Sequence, residues 1–409
     1  MSQKLSIERL DQVTDSQALF ADIINKPSPF TAMTGPMPGE PSAEMILSGQ
    51  TTAQTDPGMP IVRAVDALPR RSGSLKISMD VYTQPKVKPF MGNAHAEGNE
   101  FGGKFDQLEF NINLARFPYD TGTKLDRQVV KYDIPGLSKA CALSSPERWI
   151  QQLTTINMFS GRGIEDHDGW TIPTAEKDDF REITVNPVKA PARACHFRWN
   201  QSADSLDKVS VSGGELVMET GDGLTTQLLN ALITQQASLP WFPTAINFAQ
   251  SKVSSPEPTW LALVPMVALP QFITRSDYRS LVSLMNNRAA NLGSHPLFRF
   301  SRAEYGNFLI MPVPWNVFWN AGADVKYCAT GASQTESTAK VPAAFATNGF
   351  VMTRIVVVGA SCLAQGFGTL TETSSPVDIQ EVKKDYNFRS GLASSVLAGC
   401  DKIQYQRPW

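Results

Sequence analysis

Two runs of strict alternation face each other across a long gap. In LKISMDVY, Leu75, Ile77, Met79 and Val81 alternate with polar residues, and in QLEFNINL, Leu108, Phe110, Ile112 and Leu114 do the same. Successive side chains of a strand point to opposite faces, so each run reads as a strand with one dry face and one wet face. Between them lie 24 residues, Thr83 to Asp106, with two prolines, four glycines and three phenylalanines (Phe90, Phe101 and Phe105). Unstructured connections longer than about 12–15 residues are uncommon in compact domains, and where they are ordered they usually carry function. Any fold for this chain must accommodate a hairpin over 75–114 that carries aromatics away from the body. Those rings call for cover from outside the subunit.

The segment before the hairpin is different in kind. Residues 1–70 hold eight prolines and little sustained periodicity. Proline fixes φ and removes a donor, so this stretch reads as an extended arm, with SQALFADII at 16–24 its one helical candidate. After the hairpin comes a helical region. Leu125, Val129, Leu137 and Ala140 recur at roughly helical spacing, with Pro135 as a kink or break. A second helix is predicted from Ser144 or Ser145 as N-cap, with Pro146 in its first turn and Trp149, Leu153 and Ile156 on one face, and Gly161 ends it. Farther on, a helix is expected at Thr225–Gln236 and another capped by Ser276. Buried strands are expected at Trp260–Val267, FLIMPV (308–313) and VMTRIVVV (351–358), and ASCLAQ reads as a short helix. The tail from Asp385 alternates loosely and could close a sheet. Strands and helices are interspersed without a βαβ rhythm, which makes the class α+β.

The chemistry search returns little. A net charge of −2 over 409 residues argues against a tight nucleic-acid clamp, which needs a basic excess. Five scattered cysteines without a CxxC pair fit free thiols in a reducing compartment. The polar N-terminus has no secretory pattern, and the longest apolar run, from Trp260, is too short and proline-broken to span a bilayer. RIVVVGASCLAQGFG, from Arg354 to Gly368, resembles a dinucleotide turn at first sight. With Gly359 in the first place, however, Ser361 and Ala364 stand where glycines are required. Glu165, Asp166, His167 and Asp168 crowd one loop, but their spacing fits no calcium pattern. Cys195 and His196 are adjacent, and neighbours in a strand point apart. Trp315, Phe318 and Trp319 have no basic residues between them and read as core or interface. The reading is of a chain with no catalytic, cofactor or metal residues, whose extensions need neighbours to offset their ordering cost. The rival readings are an intracellular α+β enzyme using the Gly359 turn or the 165–168 loop, and a structural component of another kind, one that builds rings or tubes.

Several blocks, in order, resemble the major capsid proteins of tailed bacteriophages, in the podophage branch with a virion-packaged polymerase. They are KPFMGNAHAEGNEF, with Glu97 and Glu100 in its acidic element; LEFNINLARFPYDTGTKLDRQVV; INMFSGRG; SDYRSLVSLMNNRAANLGSHPLF; RIVVVGASCLAQGFG; and DYNFRSGLASSVLAGCDKIQY. The resemblance covers about residues 85–405 and implies an HK97-like α+β capsid fold. Its parts would be an N-terminal arm (1–70), an extended β-hairpin loop (75–114), a peripheral domain with a long spine helix (115–215), an axial domain (216–375) and C-terminal strands returning to the peripheral domain (376–409). It implies hexamers and pentamers of this chain in an icosahedral shell assembled in the host bacterial cytoplasm. That shell would enclose double-stranded DNA without reading its sequence, with a portal and scaffold or decoration proteins as further partners, no cofactor and no membrane. The inter-subunit residues it implies are Phe90, Glu97, Glu100, Phe101, Lys104 and Phe105. Some relatives crosslink through a hairpin lysine, and Lys104 lies in that region, but no carboxylate presents itself to pair with it.

Overall fold

The computed structural model describes residues 28–36, 59–68, 75–83, 89–91, 104–130, 134–163, 169–219, 221–238, 245–246, 259–273, 301–328, 335–368, 370, 376–386 and 388–403. A helical turn, Pro29–Ala32, leads to β1 (Thr34–Pro36) and β2 (Ile61–Leu68). Then come β3 (Lys76–Thr83), β4 (Lys104–Asn111), β5 (Asn113–Thr123), a short helix Lys124–Val129 and the long helix Ile134–Phe159. The next strands are short: β6 (Phe197–Asn200), β7 (Ser205–Lys208), β8 (Val211–Ser212) and β9 (Glu215–Leu216). After the helix Thr226–Ser238 come β10 (Trp260–Pro265), β11 (Ala303–Tyr305), β12 (Phe308–Val313), β13 (Phe318–Trp319), β14 (Asp324–Cys328) and β15 (Glu336–Lys340). The series closes with β16 (Met352–Thr353), β17 (Val356–Val358), β18 (Leu363–Gly368), β19 (Val377–Lys384) and β20 (Arg389–Lys402).

The principal sheet has six strands, in the order β1-β2-β18-β20-β19, with β5 also paired to β20. The loose alternation of the tail becomes β20, the sheet's centre. Its residue Ala398 pairs with Asn113 of β5 and with Phe367 of β18. The long helix lies across β5 and β20. Trp149, Leu153 and Ile156, expected on one face, are all buried, and Trp149 meets Phe117 of β5 edge to face at 6.4 Å. Each such side chain contributes about 1.5–3 kcal/mol. The helix buries polar residues too. Gln152 receives the Thr171 and Ile172 amides and donates to the Gly169 carbonyl. Thr154, Thr155 and Asn157 bond carbonyls one turn back, which leaves few polar groups unsatisfied on a helix surrounded by protein.

The two prolines exchange their expected roles. Pro135 sits in the first turn, where its missing amide costs nothing, and Pro146 is interior to one continuous helix. The hydroxyls of Ser144 and Ser145 are not caps but fold back onto the Cys141 carbonyl. Part of the expected arm also proves to be core: Phe30, Met33 and Ile61 are buried, and β2 runs parallel to β18 inside the sheet. Pro36 is tolerated because β1 is the sheet's edge. ASCLAQ is not helical; after a turn at Ser361 it enters β18. VMTRIVVV divides into β16 and β17. The helical candidates at 16–24 and after Ser276 lie outside the described residues.

A second sheet has the order β11-β12-β10-β17. Every residue of β10 (WLALVP) and β12 (FLIMPV) is buried, and the two run parallel. Strands covered on both faces show no alternation, which is why their sequences read as unbroken apolar runs. Leu229 of the helix Thr226–Ser238 joins Val264, Phe272 and Ile310 in a separate apolar cluster. A further sheet, β14-β15-β9-β8, completes this half.

Candidate assembly surfaces

β3 and β4 form a two-stranded antiparallel ribbon in full register, from Lys76↔Asn111 to Thr83↔Lys104. Among the described residues neither strand joins another sheet, and the root is seated on the body. Ile77 and Phe110 are buried with Ile112, Val62, Ala364 and Leu397. The seat is cut from glycines. A β-carbon on Gly366 would press the Phe110 ring at 3.0 Å, and one on Gly368 would meet Ile112 Cδ1 at 2.8 Å. On Gly399 it would strike the Asn111 carbonyl oxygen. The glycines that suggested a cofactor turn are therefore places where the ribbon lies close on the sheet.

Beside the root, Leu75 and, in β5, Leu114 are exposed, and Lys76 pairs with Glu109 at 3.8 Å in the open. Of the six expected contact residues, Phe90 is exposed beside Met91, which is 79% exposed. Lys104 opens β4 opposite Thr83, and Phe105 faces Tyr82. Glu97, Glu100 and Phe101 lie outside the described residues.

The far end of the principal sheet carries an apolar surface that the spacing of its residues concealed. Leu125 (62% exposed), Val129 (77%) and Leu137 (60%), read as recurring at helical spacing, are open to solvent. Beside them is the β19–β20 turn, where Asp385 and Tyr386 take positive φ and Tyr386 is fully exposed. Phe388, also exposed, accepts the Lys124 amide through its carbonyl, which ties the turn to the short helix. Arg127 holds this corner together by donating to Thr121 and Ser390. The helical period was legible, but the overhang of the helix beyond the sheet was not. The aromatics of DYNF in a turn were the available signal.

The near end is closed. Arg354, buried, donates to the carbonyls of Phe159, Ser160 and Lys326, each at 3.1 Å, and stacks on Trp319 at 4.6 Å. It thereby caps the C-terminus of the long helix, where a cation is favoured. Burial lowers its pKa to about 9. Lys402 donates to Ser160 Oγ, and its pKa is lowered by burial and by Arg354.

The candidate chemistry dissolves in the same geometry. At the Gly359 turn, the amides of Ser361, Cys362 and Leu363, which a phosphate would need, are spent on the carbonyls of Met59 and Pro60. A strand follows where a nucleotide site requires a helix N-terminus. Burial, with help from Arg354 and Lys402, lowers the His196 pKa to about 3, so it is a poor base for Cys195. Burial pushes the Cys362 thiol up to about 12 and Cys400 well above the ordinary value, so neither is a nucleophile. Trp319 is buried, and Trp315 packs on Trp170 at 5.5 Å. The 165–168 loop, His95 and His295 lie outside the described residues. A cavity of about 20 Å³ beside Phe30, Arg63 and Phe367 has room for little more than one water molecule.

The family model described as phage capsid protein matches residues 4–408. No curated protein matches. Among solved structures, the capsid of Ralstonia phage GP4 is similar at 19% identity and TM-score 0.61, over 85% of this chain and 84% of that one. The acid-stable capsid of Helicobacter pylori bacteriophage KHP30 follows at 11% identity and TM-score 0.52, over 93% and 85%. The capsid of cyanophage Pam1 matches at 12% identity and TM-score 0.51, over 92% and 88%. The fold shared with these chains is the HK97-like α+β capsid fold.

Proposed function

The chain belongs to the phage capsid protein family, and on that premise we propose that it is the major shell subunit of a tailed phage, packing as hexamers and pentamers around double-stranded DNA. The observation that carries the reading is the ribbon. An isolated two-stranded hairpin is marginal in water and needs cover along its length. Here only the root, at Ile77 and Phe110, has cover from its own chain among the described residues. A neighbouring copy supplies the rest, with Phe90, Phe101 and Phe105 as apolar anchors and Glu97, Glu100 and Lys104 as the polar rim. The exposed surface at Leu125, Val129, Leu137, Tyr386 and Phe388 meets a second neighbour. In a closed shell many modest interfaces reinforce one another, so no single contact has to be strong.

In this reading residues 1–70 form the arm, of which 28–36 and 59–68 are built into the core and principal sheet of the body, 75–114 the extended loop, 115–215 with 376–409 the peripheral domain and 216–375 the axial domain. Assembly takes place in the host cytoplasm, with a portal and scaffold or decoration proteins as further partners. The subunit performs no catalysis. A net charge of −2 suits a container that must release its DNA. The test is electron microscopy of the purified, concentrated protein. Closed polyhedral particles are expected. Rings or tubes would make it a connector or tail component, and a monomer at high concentration would end the shell reading.

A further inference from the structure

The ribbon has to leave the sheet somewhere, and the place is marked by strain. β5 pairs with β20 as far as Asn113↔Ala398, and beyond that the chain lifts away through Ile112 into β4. Asn111 still pairs with Lys76 of β3 and Cys400 with Gln365 of β18, but between the two the β5–β20 ladder has ended. One side chain fills the gap. Asn186, which is buried, accepts the Asn111 amide at Oδ1 (2.9 Å) and donates from Nδ2 to the carbonyls of Asn111 (2.8 Å) and Cys400 (3.1 Å). A carboxamide has the donor and acceptor of a peptide group, so Asn186 acts as one extra residue of ladder at the point of departure.

The residue that aims it is strained. Val185 has φ 64° and ψ −51°, and the Asn186 amide bonds the Thr184 carbonyl at 2.7 Å. That is the positive-φ γ-turn, a rare form, here with a β-branched residue at its centre. Neither the short helix Phe180–Thr184 nor the extended chain after it requires such a turn. It swings the Asn186 carboxamide into the fork between β4 and β20. Strain of this kind persists where surrounding contacts hold it, and it concentrates at sites with a task.

We infer that Asn186 is a positioning residue that latches the ribbon root and sets the angle at which the ribbon leaves the body toward a neighbouring copy. The value of that angle to assembly rests on the shell reading; the latch itself does not.

Amide hydrogen exchange on the unassembled full chain tests the two separately. In the native protein the Asn111 amide should be among the slowest of the ribbon, at least tenfold slower than those near Thr83 and Lys104. Asn186→Ala should speed exchange at 107–112 at least tenfold and leave the helix segment 149–159 unchanged, with shell yield falling accordingly. Val185→Gly, which suits the positive φ and keeps the carboxamide aimed, should retain native exchange at 107–112. If Asn186→Ala does not fold, the native-protein measurement still decides. An Asn111 amide exchanging as fast as the ribbon's outer half overturns the latch, and so does an Asn186→Ala protein that loosens uniformly. A native chain that never forms shells but shows the expected exchange would instead sink the shell reading and leave the latch standing.

Discussion

The long helix has two ends that obey opposite rules. Its C-terminal end is closed by its own chain: Arg354 takes the carbonyls of Phe159 and Ser160, Trp319 covers the guanidinium, and Gly161 leaves room for that ring, since a β-carbon there would lie 2.9 Å from Trp319 Cζ2. At its N-terminal end Leu137 faces solvent, as do Leu125 and Val129 of the short helix that precedes it and Tyr386 and Phe388 of the β19–β20 turn. One helix is thus finished within its own chain at one end and unfinished at the other. The closed end serves the stability of the subunit, and the open end serves its association. Changes at the two ends should therefore separate folding from assembly.

The largest effect is expected at Arg354. Replacing it by Met leaves the carbonyls of Phe159, Ser160 and Lys326 without their donor, and loss of such buried, charge-assisted bonds costs about 3–5 kcal/mol. Urea denaturation of the variant should show this as a collapse of the midpoint. A midpoint within about 0.5 kcal/mol of the native value would remove the closed end as a stability device. Next is Gly399→Ala. The atom in its way is the Asn111 carbonyl oxygen, which belongs to backbone and cannot turn aside. Overpacking of this kind costs about 1–3 kcal/mol, readable as a lower melting temperature.

A smaller effect is expected from acid. The folded chain holds His196 neutral, with a pKa of about 3 against an ordinary 6.5. Below pH 6.5 the unfolded chain takes up a proton that the folded chain refuses. The His196 share of stability is therefore full above pH 6.5 and is lost as pH falls toward 3. Between pH 6.5 and 5 the loss is about 1–2 kcal/mol, at about 1.4 kcal/mol per pH unit less a discount for partial exposure. In His196→Gln the slope of stability against pH over that interval should flatten, and an unchanged slope would assign it elsewhere. The smallest effect on folding is expected at the open end. Leu125→Ser with Leu137→Ser should shift stability by no more than about 0.5 kcal/mol while shell yield, counted in micrographs, falls sharply. Equal loss of both would make this end part of the core. Replacing residues 84–103 by Asn-Gly, which closes the ribbon directly from Thr83 to Lys104, should likewise spare folding and abolish shells.

Legibility in the sequence followed burial geometry. β10 and β12 were readable because a strand covered on both faces leaves an unbroken apolar run. The β3–β4 ladder was readable because half-buried strands alternate. What failed was any inference that needed to know which partner lay opposite. Leu137 and Trp149 each belong to an apolar set at helical spacing, but only the second has a sheet beneath it. Pro146 marked a helix start in the sequence, yet the helix runs through it because Pro135 begins it a few turns earlier. Gly366 and Gly368, which close RIVVVGASCLAQGFG, looked like ligand glycines because a close approach of Ile77 and Phe110 to the first, and of Ile112 and Leu397 to the second, demands the same residue as a close approach of phosphate. Asn186 carried no signal at all, since its partners at 111 and 400 are remote along the chain.

β20 sits between β5 on one side and β18 and β19 on the other, and it is the last of these strands in chain order. Until residues 389–402 are available, β5 and β18 have an open edge where the centre of the sheet belongs. Pairing across some 270 residues is a slow, late event in folding. The surfaces at Tyr386 and Phe388 come into being with that same segment. The Tyr386 and Phe388 part of the open surface and the strand that completes the subunit thus emerge from the ribosome together, so a half-made chain lacks both its finished sheet and that part of its docking surface.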